Sequence, residues 1–190
     1  GVLADIGPDQ LSDAALAKIA RIKTDKFPLV RGKPRMGCPV ANIGKFIAIG
    51  LNYADHVRET GRELTESPAL FLRLSESMVA HGQDIVRPPE SFRLDYEGEI
   101  AIVIGEGGRR IAEADAWKHI VGYSCFNDGS VRDWQVSTTQ WTAGKNFYRT
   151  GGFGPWMVTA DEIQPNQKMT LVTRLNGVEM QRATTDMMIH

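Results

Sequence analysis

The chain has 190 residues, 42% hydrophobic and 24% charged, a balance that suits a globular domain with a real apolar core. Its 22 basic residues are offset by 23 acidic ones, so no basic surplus marks a partner of nucleic acid or of an anionic membrane. No apolar run approaches the roughly 20 residues that span a bilayer, and the opening GVLADIGPDQLSD carries three acids and no Lys or Arg, unlike a secretory leader.

In chain order, LSDAALAKIARI predicts a helix capped by Ser12, with Leu11, Ala15, Ile19 and Ile22 on one stripe. FPLVRGKPRMGCPV, with three prolines and two glycines, predicts an extended connector. We therefore expect an N-terminal extension and linker over 1–42 and a main body over 43–190. In the body, KFIAIGLN, ALFLRL, DIVRP, EIAIVIG, HIVGYSCFND, GPWMVT and MTLVTRLNGVEMQ are strand candidates. Asn176-Gly177 predicts a hairpin turn. Short helices are expected near YADHVRETG and EADAWKHI, and GEGGRR as a hairpin turn. The fold class is mostly β with minor α (α+β). Cys38 and Cys125 are lone cysteines, which points to a reducing compartment, the cytoplasm by default, and no disulfide. The four histidines are too scattered for a zinc motif.

Four constellations carry chemistry. In DYEGEIAIVIG, Asp95, Glu97 and Glu99 stand two residues apart, so on a strand all three project to one side. Burying like charges unpaired is costly, so a cation belongs between them, with Mg²⁺ the natural choice for oxygen ligands. The ordinary alternative is a strand start with its acids in water. In CFNDGSVRDWQ, Asp128 follows an apolar strand, and a helical turn would align Asp128, Arg132 and Gln135, a set able to hold a metal and an anionic substrate. An Asp-Gly turn with surface polar residues is the alternative. In GLNYADHVRETG, Asn52 is a candidate helix cap with Asp55 at its third position, and His56 and Glu59 face the same way. They form either a general-base dyad or a surface pair. In TAGKNF, Lys145 lacks the glycine spacing of a phosphate loop. Trp134, Trp141 and Trp156 suit core packing better than a sugar platform.

Together IAIGLNYADHVRETG, DYEGEIAIVIG, FNDGSVRDWQ, WTAGKNF and FGPWMVTADEI, in that order over residues 43 to 163, resemble the fumarylacetoacetate hydrolase family. The resemblance implies a mixed β-roll with a small N-terminal extension, commonly dimeric. It implies Glu97, Glu99 and Asp128 as ligands of Mg²⁺ or Mn²⁺, His56 and Glu59 as the water-activating dyad, Lys145 as the active-site lysine, and Arg132 and Gln135 as groups lining substrate oxygens. Asp95 has no ligand role by this match. FIAIGLNY lacks the acid that some members use as a fourth ligand, which places the chain in the three-carboxylate subgroup. Family chains continue to a Gly-rich TGTPxG-type segment, so the catalytic domain over 43–190 is expected to lack its C-terminal part.

The implied function is cleavage of a C–C bond in an acylpyruvate-type 2,4-dioxo acid, dependent on a divalent metal and passing through a metal-bound pyruvate enolate, as in aromatic catabolism. Decarboxylation, isomerisation or hydration of a 2-oxo acid uses the same site. A non-catalytic 2-oxo acid binding protein and a carbohydrate-binding module are the competing classes. The expected partners are a small 2-oxo acid and a second copy of the chain, with no nucleic acid and no membrane.

Overall fold

The structure is a computed structural model and describes residues 5–59, 61 and 66–190. The N-terminal helix α1 spans Asp13–Ala20, and the Ser12 hydroxyl accepts from the Ala15 amide at 3.3 Å. Leu11 on its apolar stripe and Val40 at the end of the connector enter one core with Ala101, Val103, Val121, Phe126 and Phe153. The extension thus seals a flank of the main body, with Ile6 and Leu16 packed against the same cluster.

The body runs β1 (Phe46–Gly50), α2 (Ala54–Glu59), β2 (Ala69–Arg73), β3 (Met78–Ala80), β4 (Leu94–Asp95), β5 (Gly98–Ile104), β6 (Ile120–Asp128) and β7 (Ser130–Val131). It continues through α3 (Arg132–Gln135), α4 (Thr142–Lys145), β8 (Gly151–Phe153), β9 (Val158–Thr159), β10 (Thr170–Leu175) and β11 (Val178–Thr184). One five-stranded sheet has the order β3-β8-β6-β5, with β9 also paired to β6. Three two-stranded ribbons, β1-β2, β4-β7 and β10-β11, surround it. Mostly strand with short helices is the architecture expected of the α+β class. Among the described residues no helix is long and apolar enough to cross a membrane.

Several elements differ from their sequence expectation. DIVRP forms no strand. EADAWKHI is a 3₁₀ helix, Glu113–His119. GEGGRR belongs to a longer connection that includes this helix, not to a tight hairpin between β5 and β6. In GPWMVT only Val158–Thr159 pairs. Asn52 does not cap α2: its side-chain amide exchanges hydrogen bonds with the backbone of His190, at 3.1 and 2.8 Å. The Tyr53 carbonyl opens the helix instead, accepting from the Val57 amide, and Asp55 pairs with Arg58. Asn176 and Gly177, with φ of 51° and 83°, make the β10-β11 hairpin turn as expected.

The opening acids do not lie on one unbroken strand. Pairing stops after Asp95 and resumes at Gly98. From there Ala101 and Val103 point into the core, while Ile102 and Ile104 are 52% and 54% exposed. Glu97 and Glu99 share the parity of the buried pair. Glu99 therefore stands on the core-facing side of β5, and Glu97, just ahead of the strand, is half-buried with it.

Candidate active site

Antiparallel pairing of β5 with β6 sets Gly98 opposite Asn127 and Glu99 opposite Phe126. One step further, the Asp128 amide donates to the Glu97 carbonyl at 2.8 Å, and the Asn127 side chain accepts from the Glu97 amide at 3.1 Å. This register brings two carboxylates thirty-one positions apart to one end of the sheet. Gly129, next in line, lies so close to the Thr150 carbonyl that a Cβ there would stand 2.1 Å from its oxygen. Only glycine lets the chain turn here with Asp128 held inward.

Around these acids sits a buried ionic cluster. The Lys145 ammonium donates to Asp128 at 2.6 Å and to Glu97 at 2.9 Å. The Arg73 guanidinium donates to the other Asp128 oxygen at 2.9 Å, to the Gly129 carbonyl at 3.0 Å and to the Thr150 hydroxyl at 3.3 Å. The Arg73 and Lys145 side chains are 0% and 2% exposed, so both charges depend on these partners. Arg132 pairs with Glu97 and, at 2.9 Å, with Asp95, and it donates to the Gln135 side chain at 3.0 Å. The Ser130 hydroxyl donates to Glu97 at 3.0 Å. Lys145 reaches the cluster from the end of α4, where the Asn146 side chain donates to the Leu72 carbonyl at 2.9 Å and accepts from the Leu74 amide at 2.7 Å.

The electrostatics divide the three carboxylates. Burial works against ionised Glu97, but Lys145 and Arg132 outweigh it and hold Glu97 below its ordinary range. Burial pushes Asp128 up and Glu97 adds to this, against the pull of Lys145 and Arg73. Glu99 is driven to about 8, first by burial and then by Glu97 and Asp128, with slight relief from Lys145. Among the described residues, no hydrogen bond reaches its carboxyl.

A raised folded-state value means the folded chain binds more protons than the unfolded one between the ordinary value of 4.5 and about 8. Stability falls as pH rises through that window, and the penalty is complete above it. Glu99→Gln is therefore expected to raise the melting temperature of the metal-free protein at pH 8.5 and leave it nearly unchanged at pH 4.5. Thermal unfolding in chelator at the two pH values checks this, and an equal shift at both would contradict it.

The sequence-derived residues thus meet in part. Glu97, Glu99, Asp128, Lys145, Arg132 and Gln135 belong to one cluster. Asp128 and Arg132 are not aligned on one helix, since α3 begins only at Arg132 and Asp128 ends β6. Lys145 lies fully inside, clamped between two acids. His56 and Glu59 fall on α2, but their side chains lie outside the described residues, so the dyad has no geometry here. Sequence reading missed Arg73, Ser130, Thr150 and Asn146. Trp156 is 62% exposed and Trp134 is 41% exposed, contrary to core packing, whereas Trp141 stacks edge-on against Phe71. Cys38 and Cys125 are free thiols.

The donor set can be tested against a divalent cation. Buried Asp128 and half-buried Glu97 and Glu99 supply hard oxygens, and Glu99 is held up first by burial and then by its two acidic neighbours. As the side chains lie, no three Asp, Glu, His or Cys groups among the described residues are gathered closely enough to hold an ion. Lys145 and Arg132 take the oxygens of Glu97, and Lys145 and Arg73 those of Asp128. The chemistry fits such an ion, while the side chains are arranged around a lysine.

A mostly β scaffold thus brings Glu97, just ahead of β5, and Asp128, at the end of β6, onto a buried lysine. Residues 45–190 match the sequence model of the fumarylacetoacetate (FAA) hydrolase C-terminal domain, and the chain belongs to the fumarylacetoacetate hydrolase family. A Burkholderia ambifaria protein, provisionally named a hydrolase, is 40% identical over 186 residues, which are 97% of this chain and 66% of that protein. The chain thus spans just under two thirds of the length of this relative. The structure is similar to a fumarylacetoacetate hydrolase from Exiguobacterium antarcticum, with TM-score 0.77 and 34% identity over 88% of this chain and 60% of that one. It is also similar to a 5-carboxymethyl-2-hydroxymuconate delta-isomerase from Mycobacterium smegmatis, with TM-score 0.68 and 35% identity over 77% of this chain and 55% of that one. A 2-hydroxyhepta-2,4-diene-1,7-dioate isomerase from Mycobacterium marinum gives TM-score 0.67 and 34% identity over 77% and 53% of the two chains.

Proposed function

We propose that the protein is a divalent-metal-dependent hydrolase that splits acylpyruvate-type 2,4-dioxo acids into a carboxylic acid and pyruvate. The convergence of Glu97 and Asp128 on a buried Lys145, with Glu99 close enough to feel both acids, carries this reading. Family membership supports it, since members generally use divalent metals. Glu97, Glu99 and Asp128 would hold Mg²⁺ or Mn²⁺, which supplies Lewis acidity to a keto oxygen and neutralises a substrate carboxylate.

The chain's own groups do the rest. Gln135 spends its carbonyl oxygen on Arg132, which leaves its amide N–H groups to donate to a substrate oxygen. Arg132 and Lys145 place positive charge beside the position where the departing enolate gathers negative charge. His56 takes a proton from water, Glu59 holds the ring, and the hydroxide adds to the distal carbonyl. The C–C bond then breaks, its electron pair leaves as pyruvate enolate, and that enolate is protonated at carbon. The product pair balances one substrate and one water.

The experiment is release of pyruvate from a series of acylpyruvates with Mg²⁺ and with chelator. His56→Asn is expected to lower hydrolysis by ~10²–10⁴-fold. Decarboxylation of oxaloacetate, which consumes no water, should be nearly untouched by that change. Pyruvate release that ignores both chelator and His56→Asn would sink the proposal. Isomerisation of an unsaturated 2-oxo acid is the second reading, favoured by the two similar structures that bear isomerase names. It is distinguished by a spectral change in the substrate without fragmentation. A homodimer in the cytoplasm completes the proposal, and sedimentation tests the dimer.

A further inference from the structure

Arg73 ends β2 with its side chain wholly buried, and the fold makes room for it. A Cβ on Gly151 would stand 2.2 Å from its Nη2, and its guanidinium carbon lies 5.5 Å from the centre of the Phe126 ring. The β6-β8 register pairs Gly151 with Asp128, so the glycine that admits the guanidinium stands beside the acid it meets.

Burying a guanidinium is costly, and well-packed apolar side chains in place of a buried ion pair often leave a fold equally or more stable. Stability alone therefore does not account for Arg73. Its geometry does. Nη1 donates to Asp128 Oδ1 at 2.9 Å and to the Gly129 carbonyl at 3.0 Å, which ties the carboxylate to the peptide that follows it. Nη2 donates to the Thr150 hydroxyl at 3.3 Å, and that hydroxyl donates in turn to the Phe147 carbonyl at 2.8 Å. The Nε–H has no partner among the described residues, so the fork is aimed at Asp128 at the expense of one of its own donors. With Oδ1 held from behind, Oδ2 is the oxygen turned toward Glu97: the Lys145 ammonium spans Asp128 Oδ2 at 2.6 Å and Glu97 Oε2 at 2.9 Å.

We infer that Arg73 is a positioning residue of the cation site, holding one oxygen of Asp128 so that the other is fixed toward Glu97. The inference rests on the metal-dependent reading above, and Arg73 acts in it only through Asp128. A partner that orients a metal ligand typically contributes 10- to 100-fold in metal affinity. Charge alone predicts the opposite sign, since deleting a positive charge beside a cation site favours the cation. The direction of the change thus separates a residue that aims Asp128 from one that only supplies charge to the core.

Arg73→Met is expected to bind Mg²⁺ roughly 10- to 100-fold more weakly than wild type. Arg73→Lys, which keeps the charge and a donor, should recover part of that loss. Gly151→Ala leaves every charge in place and displaces the guanidinium, because the added carbon overlaps Nη2. It should weaken Mg²⁺ binding in the same direction, and it decides the matter if Arg73→Met does not fold. Calorimetric titration of the full chain with Mg²⁺, in the absence of substrate, reads all three variants. Mg²⁺ affinity equal to or tighter than wild type in Arg73→Met, or in Gly151→Ala where it stands in, overturns the inference and leaves the metal-dependent reading standing. Wild type that takes up no Mg²⁺ removes that reading, and the inference falls with it.

Discussion

Asp128→Asn should cost the protein both stability and activity. Asp128 is the common acceptor of Arg73 and Lys145, two cations that are almost completely buried. An asparagine can accept through one oxygen only and must turn its amide N–H groups toward the other cation. One buried charge is then left facing a donor, and losing one partner of a buried pair costs about 3–5 kcal/mol. At about 2–4 °C per kcal/mol for a domain of this size, melting should drop by roughly 6–20 °C. Activity should fall by at least ~10³-fold, as much as loss of a general base can cost, because the same residue is the proposed metal ligand. Thermal unfolding in chelator and steady-state kinetics with saturating Mg²⁺ measure the two effects. Wild-type melting would mean that the Asp128 ion pairs contribute nothing to the fold.

Lys145→Met carries the second large effect, and its size depends on the solution. Without the ammonium, Glu97 and Asp128 face each other at one end of the sheet with less compensation. Their folded-state values then rise above the unfolded ones, so the penalty is small near pH 4 and grows as pH rises through the carboxylate range. We expect a loss of about 3–5 kcal/mol at pH 7.5 in chelator. Saturating Mg²⁺ should restore much of this stability by mass action on the folded state. Pyruvate release should stay low, because the positive charge beside the enolate is gone. Unfolding at two pH values, each with and without Mg²⁺, separates these terms. A loss of stability that is identical at both pH values would point to packing against Phe71, over which the ammonium sits at 4.8 Å, as the main contribution of Lys145.

Much of the site could be read before any coordinates were known. Asp128 does stand at the end of an apolar strand, β6, and the β5-β6 register sets it beside Glu97, just ahead of β5. Other features were not legible. In EIAIVIG both parities are apolar, so the pattern leaves open which face is inside. Packing chose the face of Ala101 and Val103 and left Ile102 and Ile104 outside. ALFLRL misleads in the same way: Leu70 and Leu72 are exposed, and Phe71 and Arg73 point inward. The parity shared by Arg73 and Phe71 was a usable signal, but a lone arginine in an apolar strand is ordinarily placed in solvent. Only the carboxylate of Asp128, 55 positions away in sequence, explains its burial.

Gly144 has no side chain because the Gln135 backbone stands where one would be: an added Cβ would lie 2.3 Å from the Gln135 nitrogen. The segment that delivers Lys145 and the one that presents Gln135 are therefore pressed into a single seam. In the proposed function, a substrate oxygen held by the amide of Gln135 would pull on the same seam that carries Lys145, so recognition and charge balance would be geared together. Substrate choice and catalytic poise would then drift in concert under mutation along this seam, and variants selected for a bulkier acyl group should show altered metal response as well.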